Sequence, residues 1–259
     1  MTEVQERMAS LWASHHRLDA ATRSLTADQV TRPSYCTEWT IAQVLSHLGS
    51  GSQLFELRLE AGLAGTEPPE REASPKVWAV WDAMQPVDQV RNSVATDSAF
   101  LQRVDDMPAE QLDLIHMALW GQEVDAAGLL TLRLNEHTIH TWDVLVMSDP
   151  SATLAVDAAT VMIDRLDILV RYTAKTKAGP IEADITTTDP VRHLRLSVSD
   201  TVTLRPHASE TPPATSSVRM PAEALIRLVY GRLDPDHTPS TVTTEGIDLD
   251  ALRATFPGV

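Results

Sequence analysis

Three side chains that can bind a metal ion are the most informative residues in this sequence. Glu136 and His140 are four residues apart, so on a helix they lie one turn apart on the same face. This spacing lets one helix offer a carboxylate and an imidazole to a single metal ion. His47 is the natural third ligand, because it lies at the edge of the apolar face of another predicted helix and Gly51, one turn later, leaves space beside it. Two histidines and one glutamate form the ligand set of catalytic zinc sites, in which a fourth position stays open for water or substrate.

The helix that contains Glu136 and His140 has a charged stripe. Arg133, Glu136, His140 and Asp143 lie within roughly 40° of one line along the helix, and apolar residues border that line. If this face points into the protein, the charges must pair or coordinate an ion, because an isolated buried charge is strongly unfavourable. We therefore expect Asp143 to hold His140 and Arg133 to orient Glu136.

These residues also have ordinary structural interpretations. A Glu–His pair at this spacing is more often a surface ion pair than a metal site, and a lone histidine such as His47 is more often a hydrogen-bonded boundary residue. His137 is a rival partner for His140, although it points further round the helix. The remaining histidines show no ligand-like grouping and are expected to be structural or exposed: His15, His16, His116, His193, His207 and His237. Spacing alone leaves the metal site and the structural pair as open alternatives.

Four long amphipathic helices are predicted to position these residues, because apolar side chains recur at three- and four-residue steps. They cover residues 3–24, 40–63, 87–104 and 125–147, with a Gly/Pro/Glu-rich loop at 64–75. The second helix has the clearest start, because Thr40 and Gln43 fit a capping box and Trp39 and Val44 fit a hydrophobic staple. Four long helices joined by loops favour a bundle.

After Pro150 the sequence pattern changes to a mixture of helices and short alternating strands. The predicted helices cover residues 152–177, a segment with Leu225, Leu228 and Val229 on one face, and 248–256. The predicted strands cover 181–187, 194–198, 202–204, 217–219 and 240–244. The fold class is therefore predicted to be α+β. We expect a metal-binding four-helix bundle over residues 1–150 and a smaller α+β domain over residues 151–259.

Composition restricts the partners of the protein. The 259 residues include 21 Lys and Arg against 36 Asp and Glu, so the formal net charge of −15 argues against nucleic acid or an anionic membrane as partner. The single cysteine, Cys36, excludes an intrachain disulfide and a Cys-rich zinc module, and we expect it to pack rather than react. The sequence has neither a leader pattern nor an apolar run of about 18 residues. A cytoplasmic monomer or homodimer is expected.

Two stretches resemble the signatures of the mycothiol-dependent maleylpyruvate isomerase family. The first runs from Pro33 to Leu48, and the second, from Arg133 to Val144, follows an R-x-x-E-x-x-x-H-x-x-D pattern. The resemblance implies a DinB-like four-helix bundle that binds zinc through a histidine on the second helix and a glutamate and a histidine on the last. These positions are here His47, Glu136 and His140. Glu38 departs from the glycine that the family usually has before the tryptophan, but it affects a loop rather than a ligand.

The resemblance also implies a function. It predicts an enzyme that uses zinc and mycothiol to attack a small electrophilic substrate, as a maleylpyruvate-type cis–trans isomerase or a thiol S-transferase. Arg232, in Tyr230-Gly231-Arg232, falls where the family has an arginine implicated in binding the substrate carboxylate; an arginine that meets a helix C-terminal dipole is the structural alternative. Two other functions remain open: a transferase that uses another low-molecular-weight thiol in detoxification or secondary metabolism, and a non-catalytic metal-binding stress protein.

Overall fold

A computed structural model of the chain describes residues 1–36, 38–68, 70–119, 122–176, 179–208 and 212–258, with the backbone alone at residues 70 and 71. Residue 37 of the first signature and residue 177, the predicted last residue of a helix, lie outside the described residues. The chain divides into two compact units, Met1–Ala152 and Thr153–Val259, so the division comes two residues after the expected boundary. Within the described ranges, no helix has the length and apolar character that a membrane span requires.

The first unit is built around a bundle of four long helices. In chain order its elements are α1 (Glu3–Thr22), α2 (Ala27–Val30), α3 (Ile41–Ala64), α4 (Glu70–Asp82), α5 (Pro86–Asp105), α6 (Ala109–Leu112), β1 (His116–Leu119), β2 (Gln122–Asp125) and α7 (Ala126–Leu145). Helices α1, α3, α5 and α7 pack side by side in the pairs α1–α7, α7–α3, α3–α5 and α5–α1. These are the four predicted long helices, and each predicted end lies within two residues of the observed one.

Local sequence signals fix where α3 and α7 begin. The backbone N–H of Gln43 donates to the Thr40 hydroxyl at 3.2 Å, and the backbone N–H of Thr40 donates to the Gln43 side chain at 2.8 Å, which confirms the predicted capping box. At the start of α7 the Asp125 carboxylate accepts a hydrogen bond from the N–H of Gly128 at 2.7 Å. The apolar face of α3 is buried in a cluster that includes Leu18 of α1 and Val144 of α7. The caps fix where α3 and α7 begin, and the apolar cluster packs α3 against Val144 of α7.

The prediction of a loop over residues 64–75 was wrong from residue 70 onward, where α4 begins. Pro75 indicates a break in the sequence, yet α4 includes it. The helix is stabilised by a tertiary contact that the sequence does not display: Trp81 is 1% exposed, and its indole N–H donates to the Gln53 side chain on α3 at 2.9 Å. The antiparallel pair β1–β2 was also not predicted.

Among its described residues, the second unit contains a five-stranded sheet and four α-helices. In chain order its elements are α8 (Val156–Ile163), α9 (Leu166–Thr173), β3 (Ile181–Thr188), β4 (His193–Val198), β5 (Val202–Pro206), β6 (Ser216–Pro221), α10 (Ala222–Val229), β7 (Thr243–Glu245) and α11 (Leu249–Thr255). The strand order is β5-β4-β3-β6-β7, in which only the β3–β6 pair is parallel. Helix α10 packs against α8 and against α9, and α9 and α10 also contact the sheet.

The prediction of one helix over residues 152–177 was wrong, because α8 and α9 are separate. The backbone of Arg165 leaves the helical region, with φ −121° and ψ 6°. At the break, the Asp164 carboxylate accepts hydrogen bonds from two guanidinium nitrogens of Arg192 at 2.6 and 2.7 Å. The apolar residues of the segment keep a continuous helical spacing, so this long-range contact has no local sequence signal.

Candidate metal centre

His47 on α3 and Glu136 and His140 on α7 come together in the first unit. Nε2 of His47 lies 3.0 Å from Oε2 of Glu136, and Nε2 of His140 lies 3.8 Å from the same oxygen. One donor atom from each residue lies within 4.8 Å of the other two. The structure therefore gathers the three residues that the sequence put forward as metal ligands.

The spacing and chemistry of these donor atoms fit a divalent metal ion. Metal–ligand bonds of about 2.1 Å in tetrahedral geometry put neighbouring donor atoms about 3.4 Å apart. The distances of 3.0 and 3.8 Å from Glu136 Oε2 lie on either side of that value. Two imidazoles and one carboxylate suit zinc and other borderline divalent ions. We refer to His47, Glu136 and His140 as the triad.

The triad is partly open and its carboxylate is ionised. The side chains of His47, Glu136 and His140 are 35%, 43% and 13% exposed. Burial opposes ionisation of Glu136, but the hydrogen bond with His47 and the nearby imidazoles outweigh it and lower the pKa of Glu136 to about 2. At neutral pH Glu136 is therefore in the deprotonated form that a metal ligand must have. The exposed surface leaves access for a further ligand.

Asp143 contacts the imidazole that it was predicted to hold. Its Oδ2 lies 2.8 Å from Nδ1 of His140, and the thiol of Cys36 donates to the same oxygen at 3.0 Å. The Asp143 side chain is buried, whereas Cys36 is partly buried and also packs against the apolar cluster of α3. With the Nδ1 edge of His140 facing Asp143, its Nε2 faces Glu136. Cys36 therefore packs, as expected, and also contacts the carboxylate behind the triad.

Trp39 is an additional neighbour of the triad, and its predicted role was only that of a residue in the hydrophobic staple. Its ring centroid lies 5.2 Å from that of His47 and 6.3 Å from that of His140. The carbonyl of Trp39 accepts hydrogen bonds from the backbone N–H and the hydroxyl of Ser34 at 2.9 and 2.8 Å, which hold the loop before α3. The ring is 37% exposed beside the triad.

The expected contact between Arg133 and Glu136 is replaced by a different one. Arg133 is 1% exposed, and its Nη2 lies 2.7 Å from Oδ1 of Asp97 on α5. The space beside Gly51 is also filled, because a Cβ added at Gly51 would lie 3.0 Å from Nη1 of Arg133. Arg133 still favours ionisation of Glu136 through its charge, but it does not orient the carboxylate by a hydrogen bond. The helical wheel placed Arg133 correctly on the inner face and could not show its partner.

A second group of histidines lies inside the bundle, so the expectation that His15 has no ligand-like grouping was wrong. Oδ2 of Asp97 lies 2.8 Å from Nδ1 of His15 and 3.1 Å from Nε2 of His137. The Ser14 hydroxyl lies 2.8 Å from Nδ1 of His137. We refer to His15, Asp97, Arg133 and His137, all buried, as the buried cluster.

Two charges in the buried cluster stabilise each other. Burial alone would raise the pKa of Asp97, but His137 and the Arg133 guanidinium outweigh it and hold that pKa well below its usual range. Burial lowers the pKa of His137, although the Asp97 carboxylate opposes this. Asp97 was not predicted as a site residue, although the sequence contains a signal for it. Val94, Asp97 and Leu101 follow three- and four-residue steps, so Asp97 lies on the apolar face of α5.

Arg232 lies in the second unit, in a turn that follows α10. Gly231 has φ +72°, and a Cβ there would lie 2.4 Å from the Cα of Gly258, so this turn requires glycine. Arg232 is 9% exposed, and its Nη1 donates to the carbonyl of Tyr230 at 2.6 Å. This contact, just beyond the C terminus of α10, agrees with the structural alternative. The carboxylate-binding role of Arg232 stays a prediction.

Comparisons with known proteins agree with this architecture. Residues 11–145 match the family described as mycothiol maleylpyruvate isomerase N-terminal domain, and residues 154–253 match its C-terminal domain. The fold is similar to the crystal structure of the mycothiol-dependent maleylpyruvate isomerase, with a TM-score of 0.65 and 16% identity over 93% of this chain and 92% of that chain. A histidine-to-alanine mutant of that isomerase gives the same values. None of the curated proteins matches this chain in sequence.

Proposed function

The chain belongs to the mycothiol maleylpyruvate isomerase family, and from that membership we propose that it is a zinc-dependent enzyme that uses mycothiol to act on a small electrophilic acid. The observation on which the proposal mainly rests is the convergence of His47, Glu136 and His140 on one partly exposed point. A metal held by three protein ligands at an accessible surface retains a position for an exogenous ligand, which is the arrangement of catalytic sites. A cytoplasmic location, where thiols stay reduced, fits this chemistry.

The side chains around the triad prepare it for a cation. When bound, zinc supplies a Lewis acid that keeps a coordinated thiol deprotonated near neutral pH. Glu136 contributes a full negative charge, because its pKa of about 2 keeps it ionised. The Asp143 carboxylate accepts a hydrogen bond from the Nδ1–H of His140, which leaves the Nε2 lone pair of His140 available to a cation. Cys36 donates to this same carboxylate, so we assign it as a partner of Asp143 rather than as the nucleophile.

The proposed reaction is a reversible addition of the thiol to a cis double bond conjugated with a carbonyl. Addition forms a C–S bond, moves the electron pair of the double bond onto the conjugated carbonyl as an enolate, and leaves a single bond about which the molecule can rotate. Elimination then breaks the C–S bond, restores the double bond in the trans geometry and returns the thiol. With an electrophile that bears a leaving group, the same attack transfers the sulfur and the thiol is consumed. A maleylpyruvate-type acid suits the isomerisation, because it has a cis double bond conjugated with a carbonyl.

Arg232 is proposed to bind the carboxylate of the substrate. A guanidinium can donate two parallel hydrogen bonds to a carboxylate, which orients an acid more strictly than a lysine can. In a chain with a net charge of −15, an anionic substrate needs such a local cation. Substitution of Arg232 by Met should raise KM for acids and leave zinc content unchanged. Unchanged KM and kcat would remove Arg232 from the proposal.

The test is to follow substrate and free thiol together. Zinc-loaded protein is mixed with mycothiol and either maleylpyruvate or a panel of electrophiles, and the trans product and the remaining thiol are measured. An isomerase forms trans product at constant thiol, whereas an S-transferase consumes one thiol per product. His47→Ala should remove the activity, and His16→Ala, which changes an exposed histidine on α1, should retain it.

Each negative result has a defined meaning. Activity with glutathione in place of mycothiol would favour a transferase that uses another thiol. Zinc binding without thiol-dependent chemistry on any electrophile would favour the non-catalytic metal-binding protein. Full activity of His47→Ala would contradict the assignment of the triad.

A further inference from the structure

The buried cluster resembles a second metal site, but its charges are already balanced. Nη2 of Arg133 lies 2.7 Å from Oδ1 of Asp97, and both side chains are 1% exposed. A divalent ion bound to Asp97, His15 and His137 would add two uncompensated positive charges to a site without access to water, which is strongly unfavourable. The buried cluster is therefore better explained as a set of contacts that link helices than as a metal site.

Arg133 joins the two helices that present the triad. Its Nη2 donates to the carbonyl of Leu48 at 3.1 Å and to the hydroxyl of Ser52 at 2.7 Å, and both acceptors are on α3. Leu48 directly follows His47, and Arg133 precedes Glu136 by three residues on α7. The guanidinium thus connects α3 and α7 close to His47 and Glu136, because Leu48 and Ser52 lie one and five residues after His47 and Arg133 lies three residues before Glu136.

Asp97 holds the guanidinium in place from a third helix. Its Oδ1 accepts from Arg133 Nη2 and from the hydroxyl of Ser52 at 3.2 Å, while its Oδ2 faces His15 of α1. All four bundle helices therefore meet at this carboxylate. Gly51 completes the fit, because a Cβ there would lie 3.0 Å from Nη1 of Arg133.

We propose that Arg133, fixed by Asp97, is a positioning residue that sets the register of α7 against α3 and so places the triad before the metal binds. The inference rests on the proposed metal site. A helix advances about 1.5 Å and turns about 100° with each residue, so a small slip between α3 and α7 separates Glu136 from His47. Apolar side chains of similar shape tolerate such slips better than a buried guanidinium with fixed acceptors does, and metal donors must be placed within about 0.5 Å.

The test separates positioning from stability. Asp97→Asn/Arg133→Met removes both charges, so no uncompensated buried charge remains. Leu101→Ala is the matched control, because Leu101 is a fully buried residue one turn after Asp97 on α5 and makes no polar side-chain contact. Arg133→Lys retains the positive charge on a shorter-reaching, single-nitrogen head group and serves as the partial rescue. Zinc affinity is measured by chelator competition. The arrangement of the triad in the metal-free protein is followed through the 19F resonance of 5-fluorotryptophan at Trp39, whose ring lies beside His47 and His140. The resonance is assigned with Trp39→Phe.

We expect the double variant to bind zinc about 10-fold or more weakly, as for loss of groups that support metal ligands, and to shift the Trp39 resonance. Arg133→Lys should lie between it and wild type, and Leu101→Ala should lose melting temperature without either change. Wild-type zinc affinity with an unmoved resonance in the double variant would overturn the inference, as would equal changes in Leu101→Ala. If the wild-type protein binds no zinc, the proposed function fails, whereas the Trp39 resonance still decides whether Arg133 sets the register.

Discussion

Two groups of two histidines and one carboxylate lie along α7, and they differ in exposure and charge. In the triad, the Glu136 side chain is 43% exposed, and no arginine hydrogen bond to its carboxylate is present among the described residues. In the buried cluster, Asp97 is 1% exposed and pairs with Arg133 at 2.7 Å. Residue types alone would make both groups candidate metal sites.

The difference shows what makes such a group a candidate metal centre. A carboxylate that is already neutralised by a buried guanidinium gains little from a divalent ion, whereas one beside two imidazoles at an open surface gains both charge and coordination. The buried cluster therefore contributes to the fold, and the triad contributes to the proposed chemistry.

The largest effect should come from removing the guanidinium of the buried cluster. Arg133→Met leaves Asp97 as an uncompensated buried charge, which should lower the free energy of unfolding by about 3–5 kcal/mol. Glu136→Gln breaks a half-exposed pair and should lower it by less than about 1 kcal/mol. Urea unfolding of the metal-free proteins measures both. Equal losses of unfolding free energy in the two variants would contradict the assignment of a structural role to the buried cluster and a chemical role to the triad.

Removing a triad ligand should have the opposite profile. His140→Ala should weaken zinc binding by more than about 100-fold, beyond the range for groups that only support ligands, while the fold is retained. Isothermal titration calorimetry measures the affinity, and zinc-dependent elevation of the melting temperature gives an independent readout. His16→Ala serves as the control. A His140→Ala protein with wild-type affinity would place the metal elsewhere.

Asp143 should have an intermediate effect, because it acts on the triad through His140. Asp143→Asn keeps the size of the side chain but removes its charge, and we expect zinc affinity to fall about 10- to 100-fold. Asp149→Asn, at an exposed position just beyond α7, should change nothing. An unchanged zinc affinity in Asp143→Asn would mean that Asp143 does not support the triad and that the three ligands act without it.

The smallest effect should be a pH dependence of stability in the metal-free protein. The pKa of His137 is lowered by burial from its ordinary value of 6.5, so below that pH the unfolded chain binds a proton that the folded chain does not. Stability should therefore fall as the pH falls from about 6.5, by at most about 1.4 kcal/mol per pH unit from this group. Asp97, whose pKa is lowered from 3.8, adds loss of the same sign as the pH falls below about 3.8.

The contribution of His137 can be isolated by comparing how steeply the unfolding free energy depends on pH in different variants. His137→Gln removes the titrating group and should flatten the dependence of unfolding free energy on pH between 5 and 6.5, whatever its effect on absolute stability. His116→Gln changes an exposed histidine and should leave the slope as it is. Equal slopes of unfolding free energy against pH in wild type and His137→Gln would mean that the lowered pKa of His137 is not the cause of the pH dependence.

Much of the architecture could be predicted because it follows from local signals. The capping box at Thr40 and the apolar periodicity located α3, and the same periodicity located α1, α5 and α7. Elements stabilised by distant contacts were missed: α4 depends on Trp81 packing against α3, and the break between α8 and α9 coincides with the pairing of Asp164 with Arg192. Local patterns do not contain such contacts.

In the candidate site too, the features that depend on local spacing were predicted, and those that depend on distant contacts were not. The spacing of Glu136 and His140 placed both on one helical face, and the sequence indicated His47 as their partner. The expected partner of Arg133 was wrong, because the wheel shows which residues share a face of α7 and not what lies opposite. Asp97 lies on the apolar face of α5, where a carboxylate requires a partner, and it received no role.

The sequence by itself determined the four long helices of the bundle and the face of α7 on which the charged residues lie, because periodicity and capping act over one or two turns. The tertiary structure decided the partners: Glu136 meets His47, and Arg133 meets Asp97 and the carbonyl of Leu48. Contacts between residues 36 to 89 positions apart depend on how helices pack and in what register. No local pattern specifies that register, and buried charges accept only the arrangement that satisfies them.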